Sequence, residues 1–364
     1  MHPQPLQILI SPLDWGLGHA ARCIPVIREL LIAGHNVTIA GKGPSLVMLQ
    51  KEFPALKSIE IKSFSPSYGR SGNLAVHLFF LLPKFILSIF YEHFILRRLI
   101  AKNGFDIIVS DNRYGLWNKK IKSILITHQV MIKTPAWLRF AQYPLYLVSK
   151  MLINHFDECW IPDSAVAPGL SGDLSHKYPL PADAKFIGPL SRFALSFNKK
   201  ELLTTFNREI TVIISGPEPQ RSIFEDIITT QLLELNLPAT LIRGKPETEQ
   251  VIEAKGNLKI ISHASAEEMR SIIESSALII CRSGYSSAMD LAAMASNALF
   301  VPTPGQTEQI YLANLYYNTG KTFFKTQDKL NLKYDIEKAL VYPGFRSSRF
   351  VSDLSSIIAG IKKK

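Results

Sequence analysis

Short apolar runs bounded by turn residues recur along the chain, and their spacing sets the first expectation. Residues 6–11 are an apolar run followed by Asp14-Trp15-Gly16-Leu17-Gly18-His19, and apolar positions then repeat at helical spacing over 20–33. Gly34 fits the C-cap of that helix, and residues 37–40 supply the next strand. This is a βαβ unit. Further runs at 107–109 and 124–126 suit strands of a parallel sheet. A second series at 211–215, 239–242, 258–261, 278–281 and 298–301 is interleaved with helical patterns such as 267–276 and 286–295. The chain is therefore expected to be α/β, with the same architecture built twice.

Between the halves, Phe186-Ile187-Gly188-Pro189-Leu190 carries a Gly-Pro breaker, and the polar stretch 196–208 reads as a hinge. Two domains are expected, 1–198 and 199–342. Tyr342-Pro343-Gly344 then breaks the chain before a final amphipathic helix within 343–364, expected to return to the N-terminal domain. Two open α/β sheets meeting at a hinge would place a ligand cleft between the carboxyl ends of their strands.

Composition narrows the setting. With 364 residues the chain exceeds what one core usually serves, and 47% apolar against 20% charged residues is a globular balance. A net charge of +11 favours nucleotide diphosphates, anionic lipid headgroups or nucleic acid as partners. Basic residues are scattered and no recognition motif is present, so nucleic acid is not expected. Cys23, Cys159 and Cys281 are far apart inside apolar runs, which argues against a disulfide framework or a zinc site and fits a reducing cytoplasm. The start, Met1-His2-Pro3-Gln4-Pro5, lacks the pattern of a signal peptide. No Asp-x-Asp metal signature stands at a strand end, so no metal is expected.

The most apolar stretch, 74–100, is interrupted by Pro83, Lys84, Glu92, Arg97 and Arg98, and so is not a bilayer-spanning helix. Its narrow polar stripe of Lys84, Ser88 and Glu92 suits a buried helix, and equally one that lies on a membrane. A second apolar and aromatic stretch, 137–156, carries Arg139 and Lys150, in keeping with an anionic lipid surface.

Candidate chemistry sits at strand ends. Gly16 and Gly18 let the backbone approach a ligand where a helix begins, and His19 would there face it as a base acting on a hydroxyl. A tight turn whose histidine only caps the helix has the same spacing. Arg22 would meet a phosphate or an acidic neighbour. In Cys281-Arg282-Ser283-Gly284-Tyr285-Ser286-Ser287, hydroxyls and main-chain N–H groups at a helix start suit a pyrophosphate, with Arg282 or Arg221 nearby for charge. Asp290 could accept the two hydroxyls of a ribose. The bland alternative is that Ser283 caps the helix and Asp290 is a solvated helix charge. After 298–301, Glu308 or Gln309 could bind sugar hydroxyls. Gly216 opens a loop, Gly216-Pro217-Glu218-Pro219-Gln220-Arg221, placed for a phosphate or a plain turn. His263 and Ala264 could hold a base edge or lead into a helix cap. Asp111-Asn112-Arg113-Tyr114 and Thr127-His128-Gln129 follow strands and are candidates for binding an acceptor.

As a set, these motifs resemble the GT-B glycosyltransferases related to the peptidoglycan N-acetylglucosaminyltransferase that makes lipid II, with a C-terminal domain of the family 28 type. The resemblance spans both halves. It rests on Cys281-Arg282-Ser283-Gly284 with Asp290, on Ala298-Leu299-Phe300-Val301-Pro302 with Gln309, and on Gly16-Leu17-Gly18-His19. It implies two Rossmann-like domains facing a central cleft, a UDP-sugar donor with no cofactor, and a lipid-linked or cell-envelope glycan acceptor. By it, Ser283, Gly284, Tyr285, Ser286 and Ser287 contact the diphosphate, Asp290 the ribose, Gln309 the donor sugar, and residues 264–266 the uracil. His128-Gln129 is similar to a His-Glu pair of that family's acceptor region. Three departures stand out: Asp290 replaces the usual Glu, the Gly216 loop replaces Gly-Gly-Ser, and a glutamine pair is reduced to Gln309-Ile310.

Gly18-His19 with Arg22 also resembles the loop of UDP-sugar hydrolases of nonulosonate synthesis, in which His19 would activate water. The expectation is a metal-independent, inverting hexosyltransferase with His19 as base. It would be cytoplasmic and peripheral on the inner face of the plasma membrane. The rival readings are the hydrolase and a non-catalytic nucleotide- or lipid-binding protein on the same frame.

Overall fold

The computed structural model describes residues 4–61, 74–193, 209–345 and 352–364, with side chains of the third helix described from residue 83 onward. Met1-His2-Pro3 and the stretch 196–208 lie outside the described residues. These residues fall into two compact units, one built from the chain before Leu190 and after Val351, the other from Ser191 to Phe350.

The first unit runs β1 (Gln7–Pro12), α1 (Leu17–Ile32), β2 (Asn36–Gly41), α2 (Gly43–Glu52), β3 (Lys57–Glu60), α3 (Leu74–Asn103), β4 (Ile107–Asp111), β5 (Lys122–Ile126), a 3-10 segment (Ala136–Ala141), α4 (Gln142–Ile153), β6 (Glu158–Ile161), α5 (Asp173–His176) and β7 (Ala184–Phe186). Its sheet is parallel throughout, in the order β3-β2-β1-β4-β5-β6-β7. Ile8, Leu9 and Ile10 of β1 and Ile107, Ile108 and Val109 of β4 are fully buried, as strands covered by helices on both faces must be. The strand order reverses between β1 and β4, and the loops leaving those two strands diverge to opposite faces of the sheet. That divergence is where an open α/β sheet forms its crevice.

Helix α1 begins at Leu17, one turn earlier than the apolar pattern alone suggests, so Gly18 and His19 lie in its first turn. Gly34 then ends it, with φ of +81° and its N–H on Leu31 O. Helix α3 packs Leu96 with Leu9, Ile108 and Leu116, and Gly115 makes that approach feasible. A Cβ at Gly115 would run into the Ile89 main-chain oxygen. No helix among the described residues is long and apolar enough to cross a membrane.

The second unit runs β8 (Ile210–Ile213), α6 (Gln220–Leu235), β9 (Ala239–Ile242), β10 (Ile252–Lys255), β11 (Leu258–Ile261), α7 (Ala266–Glu274), β12 (Leu278–Cys281), α8 (Tyr285–Ala293), β13 (Ala298–Phe300), α9 (Thr307–Asn318), β14 (Phe323–Phe324) and α10 (Leu332–Leu340). Its sheet order, β10-β11-β9-β8-β12-β13-β14, places a second reversal between β8 and β12. Only the edge strand β10 is antiparallel to its neighbour among the described pairs. Val212, Leu241, Ile260, Ile280 and Leu299 form one core with Phe224 and Ile228 of α6 and Leu332 and Ile336 of α10. In the C-terminal segment, α11 (Leu354–Ala359) belongs to the first unit, where the Asp353 N–H reaches Ile187 O.

Candidate active site

In the first unit, the ends of β1, β4 and β5 bring four side chains together: His19, Arg22, Asp111 and His128. His19 Nδ1 lies 3.0 Å from Asp111 Oδ1. Asp111 also takes two hydrogen bonds from the Arg22 guanidinium, and Arg22 Nη1 donates to His128 Nδ1 at 3.0 Å. Burial alone would raise the Asp111 carboxyl, but the charge of Arg22 and the hydrogen bonds from Arg22 and His19 hold it below the usual carboxylate range. It is therefore ionised and can only accept. His19 Nδ1 lies 3.0 Å from both Asp111 Oδ1 and Arg22 Nη2, and Arg22 Nη2 itself donates to Asp111; with the Nδ1 proton directed to the carboxylate, the stronger acceptor, the Nε2 lone pair is left free. Nε2 has no partner among the described residues. His19 is 20% exposed while Asp111 and Arg22 are buried, so the imidazole is the member of the set that meets solvent.

This arrangement bears on three expectations. Of the two partners expected for Arg22, the acidic neighbour is the one present: its guanidinium is engaged by Asp111, His19 and His128, so it orients the base and is not turned to a phosphate. Asp111 is fully buried against Arg22 and His19 and does not present itself to an acceptor. His128 is 4% exposed and faces Arg22. Gln129 is half-buried, with its N–H on Thr127 Oγ1. Gly16 is the N-cap residue of α1 in extended conformation, and its carbonyl accepts from Ser45 Oγ. Breaking one partner of the buried Arg22–Asp111 pair would cost roughly 3–5 kcal/mol, because a charge would be left alone in the interior.

In the second unit, α8 starts beside the β8/β12 reversal. Gly284 is its N-cap residue, and no side chain caps its first turn. The helix start is thus open to an anion, with Ser286 and Ser287 half-buried beside it. Gln309 is locked close by: its Oε1 accepts from the Thr303 N–H at 2.8 Å, which turns its amide nitrogen toward Gly284. Thr303 Oγ1 is buried and lacks a partner among the described residues. Thr303 was not anticipated from sequence; only its place just beyond β13 could have marked it.

Other members of the expected donor set are engaged elsewhere. Arg282 is turned inward, donating to Val301 O, Pro302 O, Gln220 O and Gln327 Oε1 while its guanidinium lies 4.0 Å over the Phe224 ring. Burial lowers it to about 9. It staples the loops beyond β13 and α6 and is not a diphosphate ligand. Ser283 does not cap α8, since its hydroxyl donates to Gln309 O at 2.8 Å. Arg221 pairs with Glu218 and with Arg243 O, closing its own loop. Asp290 is neither solvated nor free: it accepts from Ser191 Oγ at 2.7 Å and Arg192 Nε at 3.1 Å, while burial pushes its carboxyl up.

The remaining candidates lie at the rims of strand ends. Gly216 adopts φ of +109°, a conformation that favours glycine, with nothing within 4 Å of where a Cβ would be. Tyr285 is buried in the first turn of α8, and Glu308 is half-buried in the first turn of α9. The loop of His263 and Ala264 leads into a capping box in which Ser265 and Glu268 satisfy each other's backbone at the start of α7. The main-chain oxygen of His263 accepts from Gln250 Nε2 at 3.3 Å.

Comparisons with known proteins agree with this layout. Residues 226–341 match the family model described as the glycosyltransferase family 28 C-terminal domain. A protein of Methanosarcina acetivorans named as an uncharacterized glycosyltransferase is 23% identical over 331 residues, spanning 84% of this chain and 81% of that one. Among solved structures, the glycotransferase of kitacinnamycin superposes with a TM-score of 0.61 at 15% identity, over 98% of this chain and 95% of its own. Acinetobacter baumannii MurG superposes with a TM-score of 0.54 at 13% identity, over 97% and 98% respectively. The two parallel-sheet units are those of the GT-B architecture.

Proposed function

We propose that this GT-B glycosyltransferase, which carries a family 28 C-terminal domain, moves a hexose or N-acetylhexosamine from a UDP-sugar to a hydroxyl of a lipid-linked or cell-envelope glycan. The His19–Asp111 pair carries this reading. Asp111 fixes the tautomer, so His19 Nε2 can take the proton of the acceptor hydroxyl as that oxygen forms its bond to the anomeric carbon. The bond from that carbon to the diphosphate oxygen breaks, UDP leaves with the bonding electrons, and a single displacement inverts the centre.

The leaving charge is met by the uncapped first turn of α8 and the amide of Gln309, in place of a metal. Ribose binding at Asp290 fits the same reading, with ribose hydroxyls replacing Ser191 or Arg192 as its partners. In support of a lipid-linked acceptor, α3 and the 3-10 segment leading into α4 expose Leu87, Phe90, Phe94, Trp137 and Phe140, with Arg98 and Arg139 among them. Both helices cover one face of the sheet, because right-handed crossovers from β3 to β4 and from β5 to β6 run in one direction. His93 of α3 and His155, just beyond the end of α4, flank the ring of Trp117 at 4.5 and 4.6 Å. We read this face as the one laid on an anionic membrane surface.

The test is UDP release from UDP-N-acetylglucosamine with and without lipid extract. Release that needs the extract supports transfer, release without it identifies a hydrolase, and none with any nucleotide sugar leaves a binding protein.

A further inference from the structure

Within the second unit, the carboxylate of Asp290 is held on both oxygens by the chain itself. Oδ1 accepts from Ser191 Oγ at 2.7 Å and Oδ2 from Arg192 Nε at 3.1 Å, and the Arg192 main-chain N–H faces the same group. Neither donor is loosely placed. Ser191 is buried and its hydroxyl also accepts the Phe193 N–H at 3.2 Å, while the Arg192 guanidinium lies 5.0 Å over the ring of the buried Phe193. A carboxylate that waits unpaired for a hydroxyl discriminates strongly, because a substrate lacking that hydroxyl leaves a buried charge without a partner. Asp290 is different. A ribose reaches its oxygens only by displacing Ser191 or Arg192, so the bonds gained and the bonds lost are of one kind. A nucleotide without the 2′-hydroxyl leaves Ser191 and Arg192 in place, and no charge is stranded.

We propose that Ser191 and Arg192 make the donor site indifferent to the 2′-hydroxyl, so that it takes 2′-deoxyribonucleoside diphosphates as well as ribonucleoside diphosphates. The proposal rests on the donor reading above, with Asp290 at the ribose. Ser191 and Arg192 then set nucleotide specificity through Asp290, without touching the nucleotide themselves.

The experiment is calorimetric titration of the full chain with UDP and with 2′-deoxyuridine diphosphate, which share a base and differ in that one hydroxyl. The parent should bind both, with affinities within about threefold of each other, since one set of hydrogen bonds replaces another. The double variant Ser191→Ala with Arg192→Met frees both carboxylate oxygens. There the 2′-hydroxyl meets an unpaired charge, and UDP should be preferred about tenfold or more, the scale of a hydrogen bond to a charged group. A parent that prefers UDP beyond threefold would overturn the proposal and leave the donor reading standing, and so would a double variant that discriminates no better than the parent. Binding of neither nucleotide by the parent would remove the donor reading as well. Should the double variant fail to fold, Ser191→Ala alone and the ratio in the parent decide.

Discussion

Asp111 Oδ1 lies 3.0 Å from His19 Nδ1 across the reversal of strand order, so the end of β4 sets the tautomer of a histidine in the first turn of α1. Asp111→Asn keeps the shape but lets the side chain offer an N–H, which favours the wrong tautomer. Turnover should fall by about 10²–10⁴, the range for losing a positioned general base, with UDP affinity unchanged. Steady-state rates beside calorimetric UDP titration check this, with a melting curve to correct for the Arg22 charge left unpaired.

Gln309 presents its amide nitrogen to the α8 start because its oxygen is held by the Thr303 N–H. Gln309→Glu keeps the length and puts a carboxylate where a donor stood. UDP affinity should drop about tenfold or more through repulsion and the lost donor, while Gln309→Ala should have the smaller effect. The reverse ranking would mean that no diphosphate sits beside this residue.

Glu158 accepts from Lys122, Lys185 and Trp160, each at 2.7 Å. Burial opposes its ionisation, yet these hydrogen bonds prevail and bring it from 4.5 down to about 2. The unfolded chain therefore binds the proton more readily. The stability from Glu158 is complete above about pH 4.5 and is lost as pH falls toward 2. Glu158→Gln should cost about 1–2 kcal/mol near neutral pH, after discounting for solvent, and little near pH 2. Denaturant melts at the two pH values measure the difference.

Phe90 and Phe140 are 68% and 78% exposed on the helices that share one sheet face. Replacing both by Asp should reduce sedimentation with phosphatidylglycerol vesicles about tenfold, and salt should weaken the parent's binding. Uncharged phosphatidylcholine vesicles should retain less. Equal retention of parent and variant would remove this face from any membrane role.

Much of this fold is legible in the sequence because parallel strands covered on both faces read as unbroken apolar runs, as at 107–109 and 278–281. Strand β10 escapes notice because its residues are mostly exposed and it pairs antiparallel at an edge. The early start of α1 is also hidden, since Gly16 and Gly18 have low helix propensity and only tertiary packing extends the helix to Leu17. The sequence places His19, Asp111 and Arg22 at or just beyond strand ends, but their mutual pairing joins residues 92 and 89 apart and leaves no local signature. Arg282 shows the limit most clearly. A cation at a phosphate-type helix start looks ligand-facing in one dimension, and only the carbonyls of Val301 and Pro302 reveal that it points into the core.

The central claim, that His19 draws the acceptor proton in a sugar transfer, is most directly tested by UDP formation from UDP-N-acetylglucosamine in the presence of lipid extract, comparing the parent with His19→Ala. The account predicts extract-dependent UDP release by the parent and a loss of about 10²–10⁴ in the variant, with both proteins binding UDP equally. Equal turnover by parent and variant would contradict it.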